Sequence, residues 1–401
     1  MITKHKIRMV AAAAIAIALA GSLAACRGSD NTTSTGKAPS SYTVTVGTDL
    51  SSAFSSACCG IPIANGFKTY MDTLNDKGGV NGKTKVNVVS LDDQADVTTG
   101  LANFQQALSS NTLGYFLTSA STVLTPIAAQ ATKAGIATSS IGGYMGGVGV
   151  YPYVYNSLPN SASYVSTVTK FAAAQVSSAS GSGIDFLAYD STLVETFQKD
   201  MTSKLNSDGW KVGYNQLVPS SATDFSVAAG SMAADHPKVI ITDLLEGQLP
   251  TFVQQIRSHG VTVPIVNFSS NIDDATVAKI NDPNLYLVEF TAPTSDTSNK
   301  AIATMQAQAQ KAGLTTGDSN AFFVTGYVQA EIVAAALKKC APDCTRKTFN
   351  AAMNTTTVPG NGLMAGNPGF SPTNHVMVKK LIVVKYDSSK QLPVTVSGFG
   401  L

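Results

Sequence analysis

The chain has 401 residues, of which only 13% are charged, and a formal net charge of +2. That balance excludes the basic face that nucleic-acid binding requires. A hydrophobic share of 44% over this length allows two ordinary domains with packed cores.

The first element is an export signal. Lys4, His5, Lys6 and Arg8 precede an alanine- and isoleucine-rich run over 10–20, too short to span a bilayer comfortably. Leu23-Ala24-Ala25-Cys26 follows and is similar to a bacterial lipobox, which implies a signal peptide over 1–25 and a lipidated N-terminal Cys26. The alternative is an ordinary secretory signal with an incidental cysteine. Residues 26–41 are rich in Ser, Thr, Asn and Gly and read as a disordered tether. No later apolar run is expected to reach spanning length.

From residue 42 onward strands and helices alternate. A strand over 42–48 precedes a helix whose apolar face carries Ile63, Phe67, Tyr70, Met71 and Leu74. Gly78-Gly79 and Asn81-Gly82 mark turns that favour positive φ, and a strand over 85–91 ends at Asp92-Asp93-Gln94. Val97, Leu101, Phe104 and Leu108 predict a helix, followed by a strand over 113–117, a helix over 122–134 and a strand over 136–140. The rhythm breaks over 155–163, around Asn156, Pro159 and Asn160.

A second alternating block follows, with strands over 184–189, 211–217, 239–242, 264–268 and 285–290, and helices over 192–207, 225–234 and 249–259. Helices over 300–312 and 321–339 and a late strand over 376–386 complete the pattern. This is the βαβ order of parallel sheets covered by helices, so the fold class is α/β. A ligand in such a fold sits beyond the carboxyl ends of the strands or between lobes.

Export permits disulfides. Cys340 and Cys344 flank Ala-Pro-Asp and are close enough to bridge, and no metal partners lie near them. Cys58-Cys59 is open between a vicinal disulfide, two thiols and a bridge elsewhere. Neither the nucleophile, metal-protease, phosphate-loop nor dinucleotide motifs occur, and His5, His236, His259 and His375 are scattered. No enzyme, cofactor or metal is expected.

The chain resembles the type I periplasmic solute-binding proteins, in particular the branched-chain-amino-acid receptors of ABC importers. The matching residues are Asn65-Gly66, Gly78-Gly79-Val80-Asn81-Gly82, Asp92-Asp93-Gln94-Ala95-Asp96, Ser121 with Pro126, Ala134-Gly135-Ile136 and Gly369-Phe370-Ser371-Pro372. The resemblance implies two doubly wound parallel-sheet lobes joined by a three-crossing hinge. One lobe would hold 42–157 with 294–357, the other 158–293 with 358–401. It also implies a monomeric, membrane-anchored receptor that delivers a small ligand to ABC permease subunits. A receptor reporting to a membrane signalling protein is the alternative.

The resemblance places the ligand carboxylate at the loop of Ser119, Ser121 and Thr122, where hydroxyls and helix N–H groups would receive it. Helix capping is the other role open to these serines. Gly142, Gly143 and Tyr144 fall at the second contact loop, where Tyr144 either meets ligand or packs under neighbouring glycines. Cys59 falls where relatives commonly place an aromatic residue. In the second lobe Leu193 and Ser269 take the positions of a tyrosine and of the ammonium-binding glutamate, and Glu246 is open between a substitute ligand carboxylate and a solvated carboxylate at a helix start. An unpaired buried ammonium is costly, so the expected ligand is a small apolar or aromatic carboxylate rather than a branched-chain amino acid.

Overall fold

The computed structural model describes residues 39–400 except 53–54, 57–58, 118–120, 141–148, 177–182 and 270–271. The signal, Cys26, nearly all of the tether and Cys58 therefore lie outside the described residues.

Alternating apolar residues build the first sheet from β1 (Ser41–Thr48), β2 (Lys85–Asp92), β3 (Gly114–Leu117), β4 (Ala137–Ser140) and β5 (Val154–Asn156). The strands are all parallel, in the order β2-β1-β3-β4-β5, with Val44 beside Val88 and Val46 beside Phe116. Helices α1 (Gly60–Asp76), α2 (Val97–Ser109) and α3 (Ser121–Ala134) make the crossovers. Gly78 and Gly79 take φ of 99° and 82° after α1, as the sequence predicts for a turn that a side chain would strain.

The second sheet contains β6 (Gly183–Tyr189), β7 (Lys211–Val218), β8 (Val239–Asp243), β9 (Ile265–Asn267), β10 (Leu285–Glu289), β11 (Ile382–Asp387) and β12 (Leu392–Thr395). Its order is β12-β11-β10-β9-β8-β6-β7, parallel from β7 to β10 and antiparallel across β10, β11 and β12. Its helices are α4 (Ser161–Gln175), α5 (Thr192–Ser207), α6 (Ser226–Asp235), α7 (Leu249–Ser258) and α8 (Asp274–Ile280).

Three further helices, α9 (Lys300–Lys311), α10 (Ala321–Cys340) and α11 (Arg346–Met353), return to the first sheet. The α1–α10 crossing is a backbone contact. A Cβ on Gly66 would lie 2.0 Å from the Phe323 carbonyl oxygen, and one on Gly326 would lie 1.9 Å from that of Ile63. Tyr70 and Tyr327 meet edge to face beside it, with centroids 5.0 Å apart. On α11, Arg346 donates to the carbonyls of Thr112 and Leu108, and Asn350 donates to that of Gly135. Cys340 and Cys344 form a disulfide with Cα atoms 4.9 Å apart.

The chain thus passes between the sheets three times: after β5, after β10 and after α11. The passages are tied together. Asn156 N–H donates to the His375 carbonyl, Met377 N–H to the Asn156 carbonyl, and Ala292 N–H to the Leu363 carbonyl. Buried His375 stacks on Tyr155 with ring centroids 4.4 Å apart.

Several sequence expectations need correction. The break around Asn160 contains a strand, β5, and opens a helix, α4: the Asn160 side chain accepts from Ser163 N–H as an N-cap. Serine, threonine and alanine dilute the apolar period of α4, although Tyr164, Val165, Val168, Phe171 and Ala172 are buried. Helix α8 has one buried residue, Val277, and so carries no periodic signal. The late strand starts at Ile382 because 376–380 belongs to the third passage, and it pairs with an unforeseen β12. Helix α10, with 20 residues, is long and apolar enough to cross a bilayer, contrary to the expectation of no such run. Its burial makes it a core helix.

The Gly326→Ala variant should lose about 3 kcal/mol of stability, since its methyl group meets rigid backbone rather than a movable side chain. Chemical denaturation measures this, and a loss below about 0.5 kcal/mol would mean that the crossing relaxes freely.

Candidate functional site

Parallel strands bring their carboxyl ends to one edge of each sheet, where the intervening loops can converge on a ligand. At the first sheet, Asp49 follows β1 and organises the descending loop. Its carboxylate accepts from Ser51 N–H and Ser52 N–H, both at 3.0 Å, while the Ser55 hydroxyl donates to its carbonyl at 2.6 Å. This chain path leads to Cys59, the residue before α1, which is disulfide-bonded. Cys340 and Cys344 pair with each other, so the partner of Cys59 lies outside the described residues.

Helix α3 begins at Ser121, so Ser121 and Thr122 occupy its first turn. Ser119, Gly142, Gly143 and Tyr144 lie outside the described residues, as do the side chains of Ser121, Thr122 and Leu193. The backbone of Leu193 belongs to the first turn of α5, where the Ser191 hydroxyl oxygen caps by accepting from Val194 N–H at 3.2 Å.

The second sheet's carboxyl edge is better defined. Buried Asn267 bridges β8 and β9: its side-chain oxygen accepts from the Thr242 hydroxyl and from Leu244 N–H, each at 2.9 Å. Ser269, just beyond β9, is buried and hydrogen-bonds to Asp243 at the end of β8. Burial pushes Asp243 up to about 7, against the lowering effect of Ser269. Burial and then the charge of Asp243 raise the Tyr189 phenol. Asp243 and Ser269 are thus hydrogen-bonded at the ends of β8 and β9, and Tyr189, which ends β6 and bonds to Ser191, feels the charge of Asp243.

Glu246 lies elsewhere. It lines a cavity of about 170 Å³ together with Asp273, Asp274 and Glu289; Cys59 and Ser269, the other nominated residues whose side chains are described, do not line it. Its carboxylate accepts from the Thr276 hydroxyl at 2.6 Å. Among the described residues, no group of three or more His, Cys, Asp or Glu side chains could hold a metal ion.

The sequence reading did not nominate Asp243 or Glu289. A signal existed for both, because each carboxylate directly ends an apolar strand run, Val-Ile-Ile-Thr-Asp and Leu-Tyr-Leu-Val-Glu. A charge buried in such a run is costly unless it is paired and hydrogen-bonded, so the position is notable.

The family profile described as periplasmic binding protein matches residues 41–391. Among solved structures, the chain is similar to a branched-chain amino acid ABC transporter protein from Thermus thermophilus with bound valine. The TM-score is 0.72 at 13% identity, covering 90% of this chain and 96% of that one. A fatty acid ABC transporter substrate-binding protein from Thermomonospora curvata gives a TM-score of 0.69 at 17% identity, covering 90% and 93%. An ABC transporter solute-binding protein from Rhodopseudomonas palustris BisB5, in complex with 3,4-dihydroxybenzoic acid, gives 0.69 at 17% identity, covering 89% and 96%. At these identities the likeness establishes the fold. No curated protein gives a significant match.

An acid whose folded pKa is raised holds its proton more tightly in the folded state. Its contribution is therefore full below the ordinary value of 3.8, declines as pH rises toward about 7, and is flat above. Asp243→Asn should raise the unfolding midpoint at pH 8 by about 2–4 °C and leave it nearly unchanged at pH 4. Thermal melts at the two pH values check this; equal shifts at both would remove the charge argument.

Proposed function

Because this chain belongs to the periplasmic binding protein family, we propose that it is the lipid-anchored receptor of an ABC importer. It captures a small organic carboxylate outside the cytoplasm and delivers it to the permease. The observation that carries the reading is the pair of α/β lobes, each with parallel strands whose carboxyl edge is where such folds bind ligands, over a family match spanning 41–391.

In this reading residues 1–25 are the export signal and 26–41 the tether from an acylated Cys26. Residues 42–157 with 294–357 form the first lobe, and 158–293 with 358–401 the second. The carboxylate lies at the amino end of α3, against Ser119, Ser121 and Thr122, where helix N–H groups favour an anion. Cys59, Gly142, Gly143 and Tyr144 complete the first lobe's contacts, and Leu193 and Ser269 supply those of the second. Rotation about the three passages encloses the ligand, and the permease recognises the closed form. The protein acts as a monomer and releases its ligand chemically unchanged.

The cargo is an apolar or aromatic carboxylate. Ser269 carries no charge to offset an ammonium, and Glu246 lines a separate acidic cavity. Relatives of this fold include proteins named for a fatty acid and found with dihydroxybenzoic acid. Asp243 favours a second reading, in which its carboxylate receives the ammonium of an amino acid.

A thermal-shift screen separates the two. Benzoate-type acids or medium-chain fatty acids should raise the melting midpoint, with about 2.7 kcal/mol of stabilisation at a hundredfold excess over Kd. Leucine and valine should have little effect. Submicromolar leucine binding by calorimetry would overturn the carboxylate reading and leave Asp243 as the ammonium acceptor.

The disulfide of Cys59, with Cys340 and Cys344 already paired and Cys26 acylated, supports a vicinal bond to Cys58. Mass spectrometry of the non-reduced, alkylated protein from membranes should find an acylated Cys26 and no alkylation at Cys58 or Cys59. A free thiol at either residue sinks the vicinal bond, and an unmodified Cys26 sinks the anchor.

A further inference from the structure

We infer that the cavity beside the second interlobe passage binds a small organic ammonium ion. The cavity measures about 170 Å³ and is lined by Glu246, Asp273, Asp274 and Glu289, with no Lys, Arg or His in its wall among the described residues. That volume is below the range of drug-sized pockets, about 300–1,000 Å³, and suits a cation of a few heavy atoms.

Acidic residues alone do not make a site, and three of these four have ordinary partners. Glu246 accepts from the Thr276 hydroxyl, Asp273 caps α8 by accepting from Thr276 N–H at 2.6 Å, and Asp274 accepts from Ser295 N–H at 2.8 Å. Glu289 is different. It is 8% exposed, it lines the cavity, and its Oε1 is buried without a hydrogen-bond partner. A buried carboxylate left in that state is costly, and a cation in the adjoining space removes the cost. Burial first, and then repulsion from Asp274, push Glu289 well above the usual carboxylate range. An ammonium group beside it acts in the opposite direction.

The rest of the wall selects the kind of cation. Leu287, Phe322 and Val384 contribute apolar surface that suits an alkyl body. The carboxylates do not converge as a metal-holding group, whereas an ammonium needs only one or two acceptors for its N–H groups. The amino end of α10 also lines the cavity and by itself would favour an anion. Its cap is already filled: the Asn320 side-chain oxygen accepts from Phe322 N–H at 3.0 Å and Phe323 N–H at 3.1 Å. The inference does not rest on the importer reading, since a cargo carboxylate and this cation would use different residues.

Calorimetry of the purified protein in phosphate buffer at pH 8, titrated with methyl-, n-propyl- and n-butylammonium chloride against sodium chloride at matched ionic strength, tests the site. At least one alkylammonium should bind saturably, and Glu289→Gln should weaken it tenfold or more while the far-UV circular dichroism spectrum is retained. Asp274→Asn should weaken it as well, and serves as the reading if Glu289→Gln does not fold. No saturable heat with any of the three amines overturns the inference. So does saturation by calcium chloride in their place, or undiminished amine binding in the folded variants.

Discussion

Everything in the first lobe depends on two helices touching backbone to backbone. Helix α1 is laid down near the start of the described chain, whereas α10 arrives only after the chain has built most of the second sheet and returned. Gly66 and Gly326 let the two approach until even a methyl group on either would overlap a carbonyl oxygen of the other helix. Close approach multiplies weak dispersion contacts along both helices, and Tyr70 and Tyr327 seal the side of the crossing. The crossing therefore joins two segments more than 200 residues apart in sequence into one body. That body is closed by packing rather than by chain continuity.

Much of the fold is legible in the sequence for a physical reason. Parallel strands buried on both faces read as short valine- and isoleucine-rich runs, and helices lying on them keep one apolar stripe. The runs around Val44, Ile241 and Val266 and the stripe from Ile63 to Leu74 are of this kind. What escapes lacks that contrast. Helix α4 is too rich in serine, threonine and alanine, and α8 is too short for a period. The edge hairpin of β11 and β12 depends on a turn in which Asp387 accepts from Ser389 N–H at 3.0 Å. The run over 376–386 looks continuous in sequence, yet Val376 and Met377 pair with the passage at Asn156 and the sheet strand begins only at Ile382. Tertiary hydrogen bonding divides it, and no local propensity records that.

The candidate site is less legible than the fold because its chemistry comes from burial. Asp243 and Glu289 are single carboxylates at strand ends, a place where an exposed acid is commonplace. Their character appears only once β8 and β10 lie inside a seven-stranded sheet and other elements close over their ends. Asp243 then has Ser269 as a partner, whereas Glu289 keeps an unpartnered oxygen. Glu246 illustrates the converse. Its place in the sequence suggests the same polar group as Ser269, but the cavity it lines is shared with Asp273, Asp274 and Glu289 instead. Sequence position brings residues to an edge, and the geometry of that edge assigns them to different spaces.

Helix α10 links the two halves of this picture. Its middle is locked to α1 through Gly326, and its amino end, at Asn320 to Phe322, stands against the carboxylates at the edge of the second sheet. A helix amino end carries a partial positive charge, which favours an anionic neighbour. Phe290, the first residue after β10, packs on Phe322 with ring centroids 5.8 Å apart. One rigid helix thus completes the first lobe and offers the second both an apolar and an electrostatic contact. The Phe290–Phe322 contact and the approach of the α10 amino end to the Glu289 cavity therefore tie the two sheets together along the second passage.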